Sequence, residues 1–469
     1  MSRINTNVSS LIAQRVLRKN NTALGLSLER LSTGLKINRG ADNPAGLIAS
    51  ENLRAEKAGI NQAISNAERA SNVIGTAEGG LSEVGSLLNQ LQGLVNQSAS
   101  TGGLTPAETD ANQIQVDSIL NTINRLAGST AFQGLKLLNG NFAYTTSGVT
   151  STNFGAVQIN SALLPDNAPV DVVVAVTASA QTATIGYTGG DLSATNNVTI
   201  EIAGNKGTQQ ISFAGGTTVA QIVSAVNALK DSTGVSAINS SGDVGLYSTE
   251  YGSKQFVSLT TISGGFAPTS SIDHGQDASV TVNGGTAQVD GLNVTYRSAN
   301  LDVELTLKPA FNVVGSDDFN ITGGGAVFAM GSKVTENDKA SIGIQSVTTG
   351  SLGNATIGYL STLGSGKTNS LSSGNLVTAQ KILDKATEQV AQLRGRLGAF
   401  ERFTIGSTIN SLGVALENVT AADSAIRDTD FAEETANLTR SQILAQAATT
   451  VLAQANASPQ LALTLLRGA

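Results

Sequence analysis

Residues 60–95 read INQAISNAERASNVIGTAEGGLSEVGSLLNQLQGLV, and their spacing decides how the chain must fold. Ile60, Ala67, Ile74, Leu81, Leu88 and Val95 share one phase of seven, and Ala63, Ala70, Ala77, Val84 and Leu91 share another. Apolar steps of three and four therefore alternate over five heptads, which is the seam of a coiled coil. Asp42-Asn43-Pro44 predicts the helix start, with a capping side chain ahead of proline at the first helical position, and Thr101-Gly102-Gly103 predicts the end. At 1.5 Å per residue such a helix measures roughly 85 Å. Its seam requires partners of similar length, from this chain or from copies of it.

Outward from that helix, the helical pattern continues on both sides. Residues 4–35 predict an amphipathic helix with Leu17, Leu24, Leu28, Leu31 and Leu35 on one narrow stripe, marginal by itself. Thr105-Pro106-Ala107-Glu108 is a capping box opening a shorter helix with Ile114, Ile119, Ile123 and Leu126, which Gly128 is expected to stop. Near Asn375 a second heptad seam begins: Ala379, Leu383, Ala386, Val390, Leu393, Leu397 and Phe400. It then slips phase, because Ile405, Ile409, Leu412, Leu416 and Val419 lie on another frame. A last helix carries Leu444, Ala448, Val451 and Ala455, and Ser458-Pro459 is expected to end it.

Between the arms the texture changes. From about Asn141, Gly, Ser, Thr and Val alternate with period two, as in Val170 to Val174, Val198 to Ile202 and Leu301 to Leu307, with Asn283-Gly284 and Asp290-Gly291 as hairpin turns. Thr217 to Lys230 keeps helical spacing and predicts one helix on a sheet. The expected class is α+β multidomain: antiparallel coiled-coil arms from both termini forming an inner rod, with a mostly β head inserted. Residues 1–40 and 423–469 are read as assembly helices that stay loose until other copies complete them, 41–140 and 376–422 as rod, and 141–375 as a head of one or two domains. A rod whose ends are satisfied by other copies makes a heterologous, non-closing assembly, which is a filament.

Composition limits the chemistry. The 469 residues include 51 glycines, one histidine and no cysteine or tryptophan, with 40 % apolar and 13 % charged residues and a net charge of −7. Thiol chemistry is excluded, and zinc sites and catalytic triads lack their ligands, so no catalytic, cofactor or metal residue is assigned. His274, beside Asp273, is read as an exposed loop residue. Gly364-Ser365-Gly366-Lys367-Thr368 imitates a phosphate loop but has Ser361 where the pattern needs glycine. Charge is uneven: Arg3, Arg15, Arg18, Lys19, Arg30, Lys36 and Arg39 face only Glu29 in the first arm, whereas the last helix opens with Asp428, Asp430, Glu433 and Glu434. The two ends are complementary. The basic positions alternate with Leu, Val and Ile and lack aromatic stacking partners, which excludes nucleic acid as a partner. No apolar run has the ~20 residues of a membrane span, and the start, Met1 to Asn7, lacks the apolar core of a cleaved signal.

These residues together resemble bacterial flagellin. The resemblance rests on Ile4 to Asn7, Leu28 to Asn38, Asp42 to Gly46, Glu78 to Leu81 and Gln97 to Ala99 in the first arm. In the last it rests on Leu397 to Phe400, Ile426 to Ala432, Ser441 to Leu444, Val451 to Asn456 and Leu465 to Arg467. Residues 207–237 are similar to an insert motif that recurs in flagellins and hook-associated proteins. The resemblance implies a structural, non-enzymatic subunit of the flagellar filament, exported without a cleaved leader. It implies as partners other copies, an export chaperone at the C-terminal helix, and the cap and hook-associated proteins. Leu17, Leu24, Leu28, Leu31, Leu35, Ile74, Leu81, Leu88, Leu444, Val451 and Leu452 are the candidate assembly residues. A junction protein, or a head recruited as an adhesin, stands as the alternative. Flagellins detected by the animal innate receptor carry a charged run that lines up with Asn89 to Asn96. Here Leu94 is kept, but Gln90, Gln92 and Gly93 replace its arginines and glutamate, and Gln115 falls near a further glutamate. Each lost charged contact costs on the order of 2 kcal/mol at an interface, so weak recognition is expected.

Overall fold

The computed structural model describes residues 6–100, 103–165, 168–298 and 300–467, the last nine by backbone alone. Eight α-helices are present among them: α1 (Val8–Thr33), α2 (Pro44–Ser98), α3 (Pro106–Ser129), α4 (Val219–Ala228), α5 (Lys230–Thr233), α6 (Leu376–Ala399), α7 (Gly406–Arg427) and α8 (Phe431–Arg467). The chain divides into two compact units, Met1–Glu68 with Met330–Asp338 and Gly406–Ala469, and Arg69–Ala329 with Lys339–Ile405. The division cuts within α2 rather than at residue 40, since each part of that helix packs with a different segment of the returning chain.

The helix α2 starts where Asn43 Oδ1 accepts the N–H of Gly46 at 2.9 Å, ahead of Pro44. Its 55 residues extend roughly 82 Å at 1.5 Å each. All eleven seam residues, from Ile60 to Val95, are at most 2 % exposed. In the larger unit, α2 runs antiparallel to α6: Ser71 Oγ donates to Glu401 Oε1 at 2.8 Å, Arg394 pairs with Glu78 at 2.8 Å, and Gln92 donates to Asp384 at 3.3 Å. Ala379, Leu383, Ala386, Val390, Leu393 and Leu397 are buried along α6. The expected phase slip takes the form of a π-helical turn at Phe400–Ile405. One extra residue in the turn moves the apolar frame from Phe400 to Ile405, a step of five rather than four.

The helix α3 departs from its expected stripe. Thr105 and Glu108 form the capping box, but Ile114 is exposed and the buried face is Asn112, Gln113, Val116, Leu120, Ile123 and Ala127. The reason is polar: the Gln113 carboxamide donates to Leu363 O at 2.9 Å and accepts from Leu371 N at 2.7 Å, while Asn112 donates to Ser98 Oγ. Gly128 does not stop the helix, which runs on to Ser129.

The β region has two cores. In the first, a five-stranded sheet with Val170–Ala178 at its centre packs on a four-stranded sheet ending in Phe154–Ala162, around Val172, Val174, Val303, Leu305 and Phe319. In the second, a four-stranded and a three-stranded sheet enclose Ile200, Ile202, Ile222, Val226 and Leu246, with α4 supplying Ile222 and Val226. The second core is an insertion in the first. It leaves after Ala178 and returns before Ser279, and those two residues pair across adjacent antiparallel strands. Gln181 and Gln276 close the neck through reciprocal backbone bonds of 2.8 and 2.9 Å. Asn283 and Gly284 both have positive φ, +49° and +79°, in the two-residue turn expected there.

Candidate assembly faces

In the smaller unit, α1 and α8 lie antiparallel against each other. Asn7 caps α1, its Oδ1 accepting Ser10 N at 3.0 Å, and Gly34, at φ +73°, ends it by donating to Arg30 O. Only a residue free of the Cβ penalty takes that left-handed turn readily. The next backbone pairs with the start of α8: Lys36 N donates to Arg427 O at 2.7 Å and Thr429 N to Gly34 O at 2.9 Å. Asp430 Oδ1 caps α8 by accepting from Ala432 and Glu433 N–H groups.

Small and polar residues dominate the seam between them. Ser10, Ala13 and Ser27 are buried, with Leu17, Asn20, Leu24 and Leu31 half-buried, again at steps of three and four. From α8, Glu434 and Ala448 are buried, with Leu438, Ser441, Ala445, Leu452 and Ala455 half-buried. Asn7 Nδ2 donates to Ala455 O at 2.8 Å, Ser10 Oγ to Asn456 Oδ1 at 2.7 Å and Asn20 Nδ2 to Leu444 O at 3.0 Å.

Of the candidate residues, Leu17, Leu24, Leu31 and Leu452 lie along this seam, and Leu35, half-buried, bridges to Asp428. Leu28 does not: it is 51 % exposed, because the true seam passes through Ser27, which a count of apolar residues skips. Leu444 and Val451 also face outward, 46 % and 58 % exposed, beside Ile443. On α1, Val8, Leu11, Ile12 and Val16 are exposed too. Ile74, Leu81 and Leu88 are elsewhere, fully buried within the larger unit's own helices. Pro459 does not end α8, which continues to Arg467.

The charge complementarity of the ends is narrower than expected. Among the described residues one ion pair joins the two helices, Arg30 to Glu434 at 3.5 Å, with the glutamate side chain only 8 % exposed. Arg39 instead pairs with Glu29 of its own arm at 2.9 Å; Arg3 lies outside the described residues. Asp42 accepts from the N–H groups of Arg39 and Asn38, which hold its carboxyl below the usual range.

Other candidate chemistry is occupied or missing. In the Gly364 to Thr368 loop the Asp117 carboxylate takes the Ser365 N–H, at 2.9 Å, and its hydroxyl. His274 sits on the strand Ile272–His274 rather than in a loop, exposed beside Phe256. Among the described residues no group of three His, Cys, Asp or Glu side chains is placed to hold a metal, and no helix is long and apolar enough to cross a membrane. Gln90 and Gln115 are exposed and Leu94 is half-buried.

Comparison with known proteins follows the same division into arms and middle. The model of the bacterial flagellin N-terminal helical region matches residues 4–143, that of the C-terminal helical region matches 380–466, and that of the flagellin hook IN motif matches 197–250. A flagellin of Salmonella typhimurium is 31 % identical over 511 aligned positions, covering 99 % of each chain. The chain belongs to the bacterial flagellin family. Flagellins B and D of Vibrio anguillarum are 30 % and 29 % identical, again over 99 % of each chain. As a flagellin, the chain is a structural subunit of the bacterial flagellar filament, and the full-length similarity to flagellins does not favour the junction-protein or adhesin alternatives. The insert motif, read as 207–237, extends over 197–250 and takes in the strands Val198–Gly204 and Asp243–Ser248.

Proposed function

We propose that this flagellin polymerises by covering the outward apolar residues of α1 and α8 with the same helices of neighbouring copies. The observation that carries the reading is the division of labour on these helices: small and polar residues with a few leucines make the seam, while Val8, Leu11, Ile12, Val16, Leu28, Ile443, Leu444 and Val451 face solvent. Exposed apolar stripes of this extent on two paired helices are unfavourable until covered. The cap and hook-associated proteins meet the same chain at the ends of the polymer. Before assembly an export chaperone covers α8, and the chain leaves the cell through the flagellar export channel. The role is not catalytic, consistent with a chain that has one histidine and no cysteine.

The test is seeded growth followed by electron microscopy. A Leu444→Asp, Val451→Asp chain is expected to keep the circular dichroism of the native monomer and fail to extend filament seeds. Growth at the native rate would overturn the reading. At Gln90, Leu94 and Gln115 we also propose weak recognition by the innate receptor for flagellin; potent signalling by the purified monomer would count against it.

A further inference from the structure

The helix α8 passes through Pro459, and that proline leaves a gap in its backbone ladder. In an α-helix the N–H of residue 459 would bond to the carbonyl of Ala455, and proline has no N–H to give. The Ala455 carbonyl is nevertheless satisfied, because Asn7 Nδ2 from α1 donates to it at 2.8 Å. We infer that Asn7 is a positioning residue for assembly: its carboxamide replaces the N–H that Pro459 lacks and so fixes the register in which α1 meets α8.

The geometry favours one register over its neighbours. Ala455 is the carbonyl opposite the proline gap, so a slip of one residue would carry the Asn7 carboxamide away from it and leave it bare. The same carboxamide caps α1 through Ser10 N, which ties the start of one helix to a defined point on the other. Ser10 to Asn456 and Asn20 to Leu444 O fall in the same antiparallel register further along the pair. A single polar residue in a helical seam fixes register at some cost in stability. Here the register sets how Val8 to Val16 on α1 align with Ile443 to Val451 on α8, the stripes that the proposed assembly reading brings against other copies. The inference rests on that reading only for its consequence in polymer growth.

Asn7→Asp separates the two roles of the side chain, since it keeps an oxygen to cap α1 but has no N–H for Ala455. In the full chain, amide hydrogen exchange in the first turns of α1 is expected to quicken about 10-fold, the scale of leaving one partly buried acceptor unpaired. Pro459→Ala restores the missing N–H, so the double variant is expected to exchange within about twofold of Pro459→Ala alone. Seeded growth should follow the same order, slow for Asn7→Asp and recovered in the double variant. Unchanged exchange in Asn7→Asp, or a double variant as fast as Asn7→Asp, would overturn the lock. Exchange that behaves as expected while growth stays native would support the lock and count against the assembly reading alone.

Discussion

Leu81 and Leu444 are both leucines on heptad-like stripes, yet they answer to different partners. Leu81 is fully buried within the chain, whereas Leu444 is nearly half exposed. Leu81→Ala is expected to cost about 3 kcal/mol of monomer stability in urea unfolding, the range for emptying a packed core site. Leu444→Ala should cost the monomer less than about 0.5 kcal/mol, as surface substitutions do. Asp277 is a second residue-scale case. Burial raises its carboxyl, but the Ser253 hydroxyl and the N–H groups of Gly291 and Ser253, with Lys254 nearby, outweigh that and hold it below the usual range. A depressed carboxylate stabilises above its ordinary value of about 3.9 and loses that contribution as pH falls through its folded value. Asp277→Asn is therefore expected to lower the melting temperature at neutral pH, with the gap to the native chain closing in acid. Periodicity alone reveals neither effect, because it ranks apolar positions without saying which element, or which molecule, covers them.

Among the elements, the π turn at Phe400–Ile405 is the clearest case of a local irregularity legible in advance. An apolar frame that jumps by five where four is due requires one residue to be absorbed in the helix. Deleting Phe403, which is 68 % exposed there, should straighten the turn into regular helix and keep both frames. The melting temperature is expected to move by less than about 3 °C, the shift that ~1 kcal/mol produces in a large domain. Deleting Gln392 within α6 would instead rotate Leu393 and Leu397 out of the buried seam and unfold the unit. The caps were legible too: Asn43-Pro44 and Thr105 to Glu108 begin helices where their chemistry requires. The polar seam members Ser10, Asn20, Ser27, Asn112 and Gln113 carry no periodic apolar signal. Ser10, Asn20 and Gln113 are buried or half-buried with partners distant in sequence that take up their hydrogen bonds, and hydropathy gives no sign of that. Pro459 reads as a helix stop by local rules, but its missing bond is compensated from Asn7 and α8 continues.

For the whole molecule, the nesting of one β core inside the other yields its own prediction. Gln181 and Gln276 are joined by reciprocal backbone bonds, so the second core begins and ends at one point. Replacing residues 182–275 by Asn-Gly is expected to leave the first core folded, judged by a retained cooperative β transition, and to leave seeded filament growth intact. Loss of either would mean that the inserted core supports what it grows from. The sequence by itself determined the heptad seams, the helix caps, the phase slip, the β texture of the middle and the family to which the chain belongs, because these depend on spacing and turn chemistry within a few residues. Only the tertiary structure decided that the middle holds two cores, that α1 and α8 meet through small and polar residues, and that Leu28, Leu444 and Val451 face outward. Those outcomes depend on pairings across hundreds of residues, where a donor in one helix answers a bare carbonyl in another.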